Sequence, residues 1–331
     1  MTTPPSSVPL PPTQLAEGVR RLLGVKRKTP RRPSVAILGL PYFGQLLARR
    51  LRTKGWRARF YPHPGRDPRG WATILADVPR ADLVYLISSR VDRKAPQAAL
   101  AWLRRGPIAV HWVGTDVLIA LEALEKRGVA RRLLDRSTHF VDAPWLIDEL
   151  RPLGIEATYL ALPIPVAAED PSPLPARFRV LLYLPVDAFD REVFDMDALL
   201  RLPKELPDLD FVLIPSPAET LPAPLPPNLE ARGWVHDMDA LYRDLTAMVR
   251  LTSHDGMSFM AVEMLSRGRY VTWTYPLDGA IQAKTFGEVV AALRSLAERH
   301  QRGELGLNLE GRAAMLARFD PERVLSALDE K

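Results

Sequence analysis

Two acidic residues that follow a strand-like run are the first candidates for chemistry in this chain. Asp255 and Glu263 lie eight positions apart in TSHDGMSFMAVEMLSRGRYVTW, residues 252–273. The pattern predicts a strand end, a tight turn, a helix of about three turns and a further strand. We expect Asp255 to end the strand and to cap the helix.

The turn after Asp255 suits an anionic or hydroxylated ligand. Gly256 lets the backbone approach a ligand, and N–H groups near Met257 and Ser258 would point at an anion at the helix start. Glu263 lies off the apolar face of the helix, where a carboxylate at the rim of a cleft can accept hydrogen bonds from the paired hydroxyls of a ribose. The alternative for Glu263 is an exposed residue on an amphipathic helix.

A histidine and an aspartate five positions apart form a second candidate pair. His111 and Asp116 lie in HWVGTDV, residues 111–117, where a strand-like run ends. An imidazole and a carboxylate at this spacing could transfer a proton or orient a sugar hydroxyl, with Gly114 allowing the bend. The alternative is a hydrogen-bonded core histidine and an aspartate that caps the next helix.

Several cofactor and metal sites are disfavoured by spacing and composition. The turn GLPYFGQ, residues 39–45, has neither the GxGxxG spacing of dinucleotide-binding proteins nor the Lys-Ser or Lys-Thr of a P-loop, although Gly44 at a helix start could still face an anion. The chain has no cysteine, which excludes thiolate zinc sites and iron–sulfur clusters. The DMD triplets at 195–197 and 237–239 are interpreted as helix caps, so no metal ligand is assigned.

Strand-like and helix-like runs alternate along two halves of the chain. This alternation predicts an α/β protein with two doubly wound, Rossmann-like parallel sheets that face each other across a cleft. The predicted segments are a Pro-rich basic segment, an N-terminal domain, a linker, a C-terminal domain and helices that could pack back on the N-terminal domain. Their bounds are 1–33, 34–166, 167–176, 177–280 and 281–331.

The excess positive charge is confined to the basic segment, residues 1–33. The formal net charge of the chain is +6, while residues 34–331 carry 38 basic and 38 acidic side chains. Apolar residues recur at helical spacing in this segment, so residues 15–32 could bind an anionic membrane surface, or pack on the body ahead of a solvated linker. A neutral body argues against nucleic acid. With no apolar run of the roughly 18 residues that a membrane helix needs, we expect a cytoplasmic protein, with peripheral attachment to the inner face of the membrane as an option.

The Asp255–Glu263 stretch resembles the acidic–Gly–x–Gly/Ser–x4–Glu motif of GT-B glycosyltransferases, in particular of retaining family 4. The family motif is Glu-Gly-Phe-Gly, four residues, then Glu-Ala-Met-Ala-x-Gly. The corresponding residues here are Asp255, Gly256, Met257 and Ser258, then Glu263, Met264, Leu265, Ser266, Arg267 and Gly268. HWVGTDV is similar to the His-Gly-x-Asp turn of the family, and the likeness spans roughly residues 34 to 280.

The resemblance implies a role for each matching residue. Glu263 would bind the donor ribose, Asp255 would face the transferred sugar, and the amides of 256–258 would approach the donor phosphates. His111 would lie near the reacting sugar, with Asp116 behind it. A nucleotide-sugar donor would be the co-substrate, without a catalytic metal or cofactor, and the anomeric configuration would be retained. The acceptor is not specified, and a lipid-linked molecule is one option.

Two features of the sequence depart from the family pattern. The Arg and Lys that usually follow the first strand of the C-terminal domain are absent from LYLPVDAFDREVFD, residues 182–195, where Arg191 is the nearest basic residue to the Lys position. Asp255 also replaces a glutamate. Three functions are therefore considered: a GT-B glycosyltransferase, an inactive relative that binds a sugar or a partner protein, and another GT-B enzyme such as a sugar-nucleotide epimerase or a phosphorylase.

Overall fold

The described part of the chain forms two compact units. The computed structural model describes residues 33–53, 55–103, 105–167, 169–187 and 191–319. The first unit comprises residues 33–163 with 318–319, and the second comprises residues 164–317. The predicted amphipathic stretch 15–32 lies outside the described residues. Among the described helices, none combines the length and the hydropathy that spanning a bilayer requires.

The first unit contains a six-stranded sheet in the order β2-β1-β3-β4-β5-β6, in which every neighbouring pair is parallel. Its strands are β1 (Ser34–Gly39), β2 (Arg57–Tyr61), β3 (Leu83–Ile87), β4 (Ile108–Trp112), β5 (Ser137–Val141) and β6 (Ala157–Tyr159). Its helices are α1 (Pro41–Thr53), α2 (Pro68–Asp77), α3 (Leu100–Leu103), α4 (Thr115–Glu125), α5 (Arg131–Asp135) and α6 (Leu146–Glu149), with 3-10 turns at Val78–Arg80, Pro96–Ala99 and Arg151–Leu153.

The second unit contains another six-stranded parallel sheet, in the order β12-β11-β10-β7-β8-β9. Its strands are β7 (Arg179–Leu184), β8 (Asp210–Pro215), β9 (Leu229–Ala231), β10 (Ala247–Arg250), β11 (Tyr270–Trp273) and β12 (Ile281–Gln282). The remaining helices are α7 (Met196–Glu205), α8 (Met238–Arg243), α9 (Phe259–Ser266), α10 (Phe286–Gln301) and α11 (Leu309–Phe319), with a 3-10 turn at Ala218–Thr220. Two Rossmann-like α/β sheets were predicted from the sequence, and this fold class is confirmed.

Apolar strands account for the core of each unit. Every residue of β3 and of β4 is buried, as expected for strands that are covered on both faces of a parallel sheet. In the first unit Leu47 and Leu51 of α1 pack against Val35 and Ile37 of β1. In the second unit one cluster contains the buried faces of α7 and α10 together with β7, β8 and β10.

Each sheet has one point where successive strands are added on opposite sides. The chain passes from β1 to β2 on one side and then to β3 on the other side of β1. In the second sheet β8 and β9 follow β7 on one side, and β10 lies on the other side of β7. Ligands of open α/β sheets bind beyond the carboxyl ends of the strands at such switch points. The β1/β3 and β7/β10 edges are therefore where binding groups should be sought.

Several predicted helix bounds differ from those observed. The run GQLLARRLRTKG, residues 44–55, has a helical pattern that ends at a glycine, but the helix begins earlier, at Pro41, because proline fits the first helical position. The sequence pattern also favours a helix around residues 191–202; α7 begins at Met196, since the Asp195 carboxylate accepts from the amide of Ala198 at 2.9 Å. Asp237 caps α8 in the same way. The interpretation of both DMD triplets as helix caps is thus confirmed.

Candidate functional site

The candidate site of the second unit is built at the β7/β10 switch point. β7 ends at Leu184, β10 ends at Arg250, and the sequence from Leu251 to Ser258 leads into α9. Because these strands are parallel neighbours, the residues that follow them lie at the same edge of the sheet.

Arg250 and Asp255 form a nearly buried ion pair at this edge. The Arg250 Nη2 group donates to Asp255 Oδ1 at 2.8 Å, and its Nε group donates to Oδ2. The side chains are only 12% and 11% exposed. The Thr252 hydroxyl donates to Asp255 Oδ2 at 3.3 Å, and the guanidinium carbon lies 5.4 and 5.1 Å from the ring centroids of Tyr183 and Phe194. This pair brings a fixed cation to the switch point, already neutralised by a carboxylate.

The prediction that Asp255 caps the helix is wrong. α9 begins at Phe259, and Ser258 is its cap, since the Ser258 hydroxyl accepts from the amide of Ala261 at 3.2 Å. The Asp255 carboxylate is instead engaged by Arg250. The strand also ends earlier than expected, at Arg250 rather than at Asp255.

The residues between Asp255 and the helix are buried. Gly256 is buried, and Met257 and Ser258 are 5% and 4% exposed. The Ser258 hydroxyl oxygen already accepts from the amide of Ala261, while its hydrogen can still be donated. The contact of these three residues with donor phosphates stays a prediction.

Glu263 is held in place by a tyrosine that the sequence did not single out. The Tyr242 hydroxyl of α8 donates to Glu263 Oε2 at 2.6 Å. Burial raises the pKa of Glu263, while the Tyr242 hydrogen bond and the positive charge of Arg267 act in the opposite direction. Arg267 donates to the Glu263 carbonyl oxygen at 3.0 Å and lies over the Tyr242 ring. Glu263 is therefore a positioned, partly desolvated carboxylate and not an ordinary surface residue.

The Arg191 side chain forms hydrogen bonds that join two loops. Its Nε group donates to the Pro185 carbonyl oxygen at 2.6 Å, and its Nη2 group donates to the Ser216 hydroxyl at 2.7 Å. A further bond of 3.2 Å joins Nη2 to the Thr220 hydroxyl. These contacts tie the segment after β7 to the segment after β8. A diphosphate that used Arg191 would have to break them.

Arg269 is buried and equally engaged. It is 1% exposed, and its guanidinium donates to the Ser172 and Pro173 carbonyl oxygens, at 2.9 and 3.2 Å. It also donates to the Tyr242 carbonyl oxygen at 3.2 Å. Arg250, rather than Arg269, is thus the arginine that the structure places at the switch point.

His111 lies inside the core of the first unit. It is fully buried at the end of β4, its Nδ1 atom is 2.8 Å from the Tyr85 hydroxyl, and the rings of Tyr85 and Phe140 flank it. Burial lowers the pKa of His111 to about 3, so the imidazole is neutral at pH 7. Its environment is that of a core histidine.

Asp116 lies in the first turn of α4 and is 4% exposed. Gly114 occupies the cap position, so the alternative in which Asp116 caps this helix is wrong. Asp116 Oδ1 accepts from the amide of Val113 at 3.0 Å, and burial raises the pKa of the carboxyl to about 7. Within the described residues no hydrogen bond joins Asp116 to His111, so the structure does not bring the predicted pair together as a proton relay.

Gly44 has a packing role within α1. Its amide donates to the Leu40 carbonyl oxygen at 2.9 Å, so this N–H group is not available to an anion. A Cβ atom at this position would lie 2.3 Å from the Phe60 ring. Across the described ranges, no group of three or more His, Asp or Glu side chains could hold a metal ion, and metal independence of the reaction stays a prediction.

Solved structures share this fold at low sequence identity. A sucrose-phosphate synthase from Thermosynechococcus elongatus matches 90% of this chain and 97% of its own, with 13% identity and a TM-score of 0.65. The pneumococcal O-GlcNAc transferase GtfA, solved with UDP and GlcNAc, matches 78% of this chain but 58% of its own, with 13% identity and a TM-score of 0.52. A UDP-GlcNAc 2-epimerase from Neisseria meningitidis, bound to UDP-GlcNAc, matches 88% of this chain and 98% of its own, with 10% identity and a TM-score of 0.52.

The likeness establishes a GT-B fold, the fold of many glycosyltransferases. No protein-family model matches the chain. A search of curated protein sequences also finds no match. A shared fold does not by itself assign an activity, which has to be argued from the site.

Proposed function

We propose that this protein is a glycosyltransferase that moves a sugar from a nucleoside-diphosphate sugar to a hydroxyl group of an acceptor. The observation that carries the proposal is the arrangement around α9. Arg250 and Asp255 lie before this helix at the β7/β10 switch point, and Glu263 lies on it with its carboxylate held by Tyr242. GT-B proteins of known structure include a transferase solved with UDP and an epimerase bound to UDP-GlcNAc, which supports UDP as the first nucleotide to test.

Each group has a role in the proposed reaction. The Glu263 carboxylate accepts hydrogen bonds from the ribose hydroxyls. When the donor binds, the Arg250 guanidinium releases Asp255 and binds the diphosphate instead. Asp255, once released, faces the transferred sugar. No metal or cofactor is assigned, because the guanidinium and the start of α9 would stabilise the negative charge of the departing diphosphate.

The proposed transfer balances without an added reactant. The acceptor oxygen forms a bond to the anomeric carbon while the bond from that carbon to the diphosphate oxygen breaks, with its electron pair staying on the diphosphate. The acceptor proton passes to the departing diphosphate oxygen. Attack from the face that the diphosphate leaves would retain the anomeric configuration.

Thermal-shift measurements with UDP and a panel of nucleotide sugars test the proposal. A ligand that binds only the folded state raises the melting temperature, so we expect at least one nucleotide to do so. Glu263→Gln should remove most of this shift. Glu298→Gln is the matched control, because Glu298 is an exposed residue of α10.

A melting temperature that no nucleotide changes would overturn the proposal, as would equal shifts for wild type, Glu263→Gln and Glu298→Gln. If a nucleotide binds, incubation with its sugar derivative and analysis by mass spectrometry should show transfer or hydrolysis. A sugar-nucleotide epimerase would instead convert the donor to an isomer of the same mass, which chromatography would separate.

An inactive GT-B relative that binds a sugar or a partner protein is the second candidate. The hydrogen bonds that engage Arg191 and Arg269 favour this candidate. The cation at the switch point is then Arg250, whose charge is already neutralised by Asp255. This candidate predicts a response to a sugar or to a partner protein, and none to nucleotides.

A further inference from the structure

Two contacts join α8 to the helix α9 and to the residue that ends it. The Tyr242 hydroxyl donates to Glu263 Oε2 at 2.6 Å, and the Arg267 guanidinium donates to the carboxylate of Asp239. The Arg267 guanidinium carbon also lies 4.8 Å from the centroid of the Tyr242 ring. We call Asp239, Tyr242 and Arg267 the α8–α9 brace. Because two of its members belong to α8, the position of the Glu263 carboxylate depends on a helix outside the 252–273 stretch.

The two oxygens of the Glu263 carboxylate have different surroundings. Oε2 accepts from Tyr242, a residue that is 1% exposed. Within the described residues no hydrogen-bond donor reaches Oε1, and Oε1 is not one of the side-chain oxygens that are buried without a partner. Oε1 is therefore open to solvent. A carboxylate that is fixed through one oxygen presents the other to a ligand, where it can accept from a hydroxyl.

The brace also acts on the charge of Glu263. An ionised carboxylate only accepts hydrogen bonds, which suits two ribose hydroxyls, whereas the protonated form carries a donor of its own. Burial disfavours the ionised form and raises the pKa of Glu263. The Tyr242 hydrogen bond and the positive charge of Arg267 oppose this rise, while the negative charge of Asp239 adds to it. Loss of the Tyr242 hydroxyl would thus let the pKa of Glu263 rise further.

Other charged side chains on the elements beside α9 are engaged elsewhere or exposed. They include Arg243 of α8, Arg250 of β10, Arg269 ahead of β11 and Arg312 of α11. Arg250 is paired with Asp255, and Arg269 and Arg312 donate to backbone carbonyl oxygens at 2.9 and 2.8 Å. Arg243 is exposed. The pKa of Glu263 responds instead to the three residues of the brace.

We propose that Tyr242 is a positioning residue of the nucleotide site, which leaves Oε1 of Glu263 to the ribose hydroxyls and keeps the carboxylate ionised in mildly acidic solution. Tyr242 acts through Glu263 and is assigned no contact with the nucleotide. Arg267 supports the same charge state from the other end of the brace. The role rests on the proposed function, since it requires that Glu263 binds a ribose.

Calorimetric titration of the full chain with UDP, GDP and ADP, between about pH 5.5 and pH 8.5, tests this role. Tyr242→Phe removes the donor and keeps the ring. At the highest pH Glu263 is ionised in both proteins, so their dissociation constants should be similar. As the pH falls the variant protonates first, and the ratio of its dissociation constant to that of wild type should increase roughly tenfold, as expected for the loss of one hydrogen bond to a charged group. Titration of the nucleotide phosphate is common to both proteins and cancels in this ratio.

Two further variants complete the experiment. Tyr270→Phe is the matched control, because the Tyr270 hydroxyl donates to the Gly306 carbonyl oxygen at 2.9 Å and not to a carboxylate. Its ratio should stay near one at every pH. Arg267→Gln removes the positive charge that opposes protonation of Glu263, so its ratio should also increase as the pH falls. The melting temperature of each variant shows that the titrated protein is folded.

The pH dependence separates a positioning role from a structural one. A Tyr242→Phe ratio that is the same at every pH, whether near one or above it, would overturn the role and leave the proposed function intact. If Tyr242→Phe does not fold, a constant ratio for Arg267→Gln would overturn it instead. Wild type that binds none of the three nucleotides would refute the proposed function, and the role of Tyr242 with it.

Discussion

The hydrogen bond between Tyr242 and Glu263 positions a carboxylate in a partly desolvated place. The tyrosine is 1% exposed and its hydroxyl is 2.6 Å from Oε2. Hydrogen bonds to charged groups contribute more than those between neutral groups. The rotamer of Glu263 therefore depends on a residue of a neighbouring helix.

Tyr242→Phe should lower the unfolding free energy at pH 7 by about 1.5 to 3 kcal/mol, because the carboxylate loses its donor. Denaturant unfolding measures this change. Tyr270→Phe is the control, since its exposed hydroxyl donates to the Gly306 carbonyl oxygen and should contribute less. Equal losses in the two variants would contradict the assignment.

Asp116 makes stability depend on pH in a defined direction. Burial raises the pKa of Asp116 from 3.8 to about 7. The folded state thus keeps a proton that the unfolded chain releases, and this contribution to stability is lost as the pH rises through 7. His111 acts in the opposite sense, because burial lowers its pKa to about 3 and its contribution is lost as the pH falls below 6.5.

Asp116→Asn should isolate the Asp116 contribution, since asparagine does not titrate and His111 is common to both proteins. Between pH 5 and pH 7 the unfolding free energy of wild type should fall by about 2 to 3 kcal/mol relative to the variant. Parallel curves over this range would show that Asp116 has an ordinary pKa.

Sequence patterns indicated some of these residues but not their partners. Glu263 was selected because it lies off the apolar face of its helix. Tyr242 was not, because a tyrosine next to Leu241 in a short helix can equally belong to the core, and its partner is 21 positions away. His111 stands at a strand end in both the catalytic and the core interpretations, and only the packing of Tyr85 and Phe140 separates them.

At the scale of elements, the turn between β1 and α1 depends on one glycine. Gly39 has φ of +124°, and a Cβ atom there would lie 1.7 Å from the Ile87 carbonyl oxygen of β3. The same oxygen accepts from the amide of Leu40 at 3.1 Å. The close contact holds β1 against β3 at the switch point.

Gly39→Ala should lower the unfolding free energy by at least about 3 kcal/mol, because backbone strain and a main-chain clash coincide. Gly287→Ala is the matched control: no atom lies within 4 Å of its added Cβ, and the residue is in the first turn of α10. It should leave stability unchanged or raise it by up to about 1 kcal/mol. Thermal unfolding of both variants decides the comparison.

The strands and helices differ in how clearly the sequence predicts them. β3 and β4 were predictable because strands buried on both faces are nearly continuous apolar runs. The start of α9 was not, because both Asp255 and Ser258 can cap a helix. The choice depends on Arg250, which engages Asp255 through tertiary contact. Helix ends are thus decided by side chains that local sequence does not connect.

At the scale of the whole molecule, charge separates the basic segment from the rest of the chain. Residues 34–331 are neutral by formal charge, so attraction to anionic lipids would depend on residues 1–33. Deletion of residues 1–33 should abolish co-sedimentation with phosphatidylserine vesicles. Vesicles of neutral lipid are the control, and equal sedimentation of both forms with anionic vesicles would refute the membrane prediction.

The two sheets share one topology, and each has a switch point at its carboxyl edge. The second sheet supplies ionic and hydrogen-bonding groups at this edge, whereas the first supplies a mainly apolar cavity. Parallel topology could be anticipated from strand–helix alternation. The contrast in chemistry between the two edges could not, because it depends on which side chains meet in space.

The pair formed by Arg250 and Asp255 also predicts how the proposed site should respond to ionic strength. A guanidinium exposed to solvent attracts mobile anions, and a phosphate that displaces them binds less tightly as salt increases. Here the counter-ion of Arg250 is the carboxylate of Asp255, which belongs to the same chain. A diphosphate that binds Arg250 therefore displaces a side chain and releases few dissolved ions. Nucleotide affinity at such a site should vary little with salt concentration.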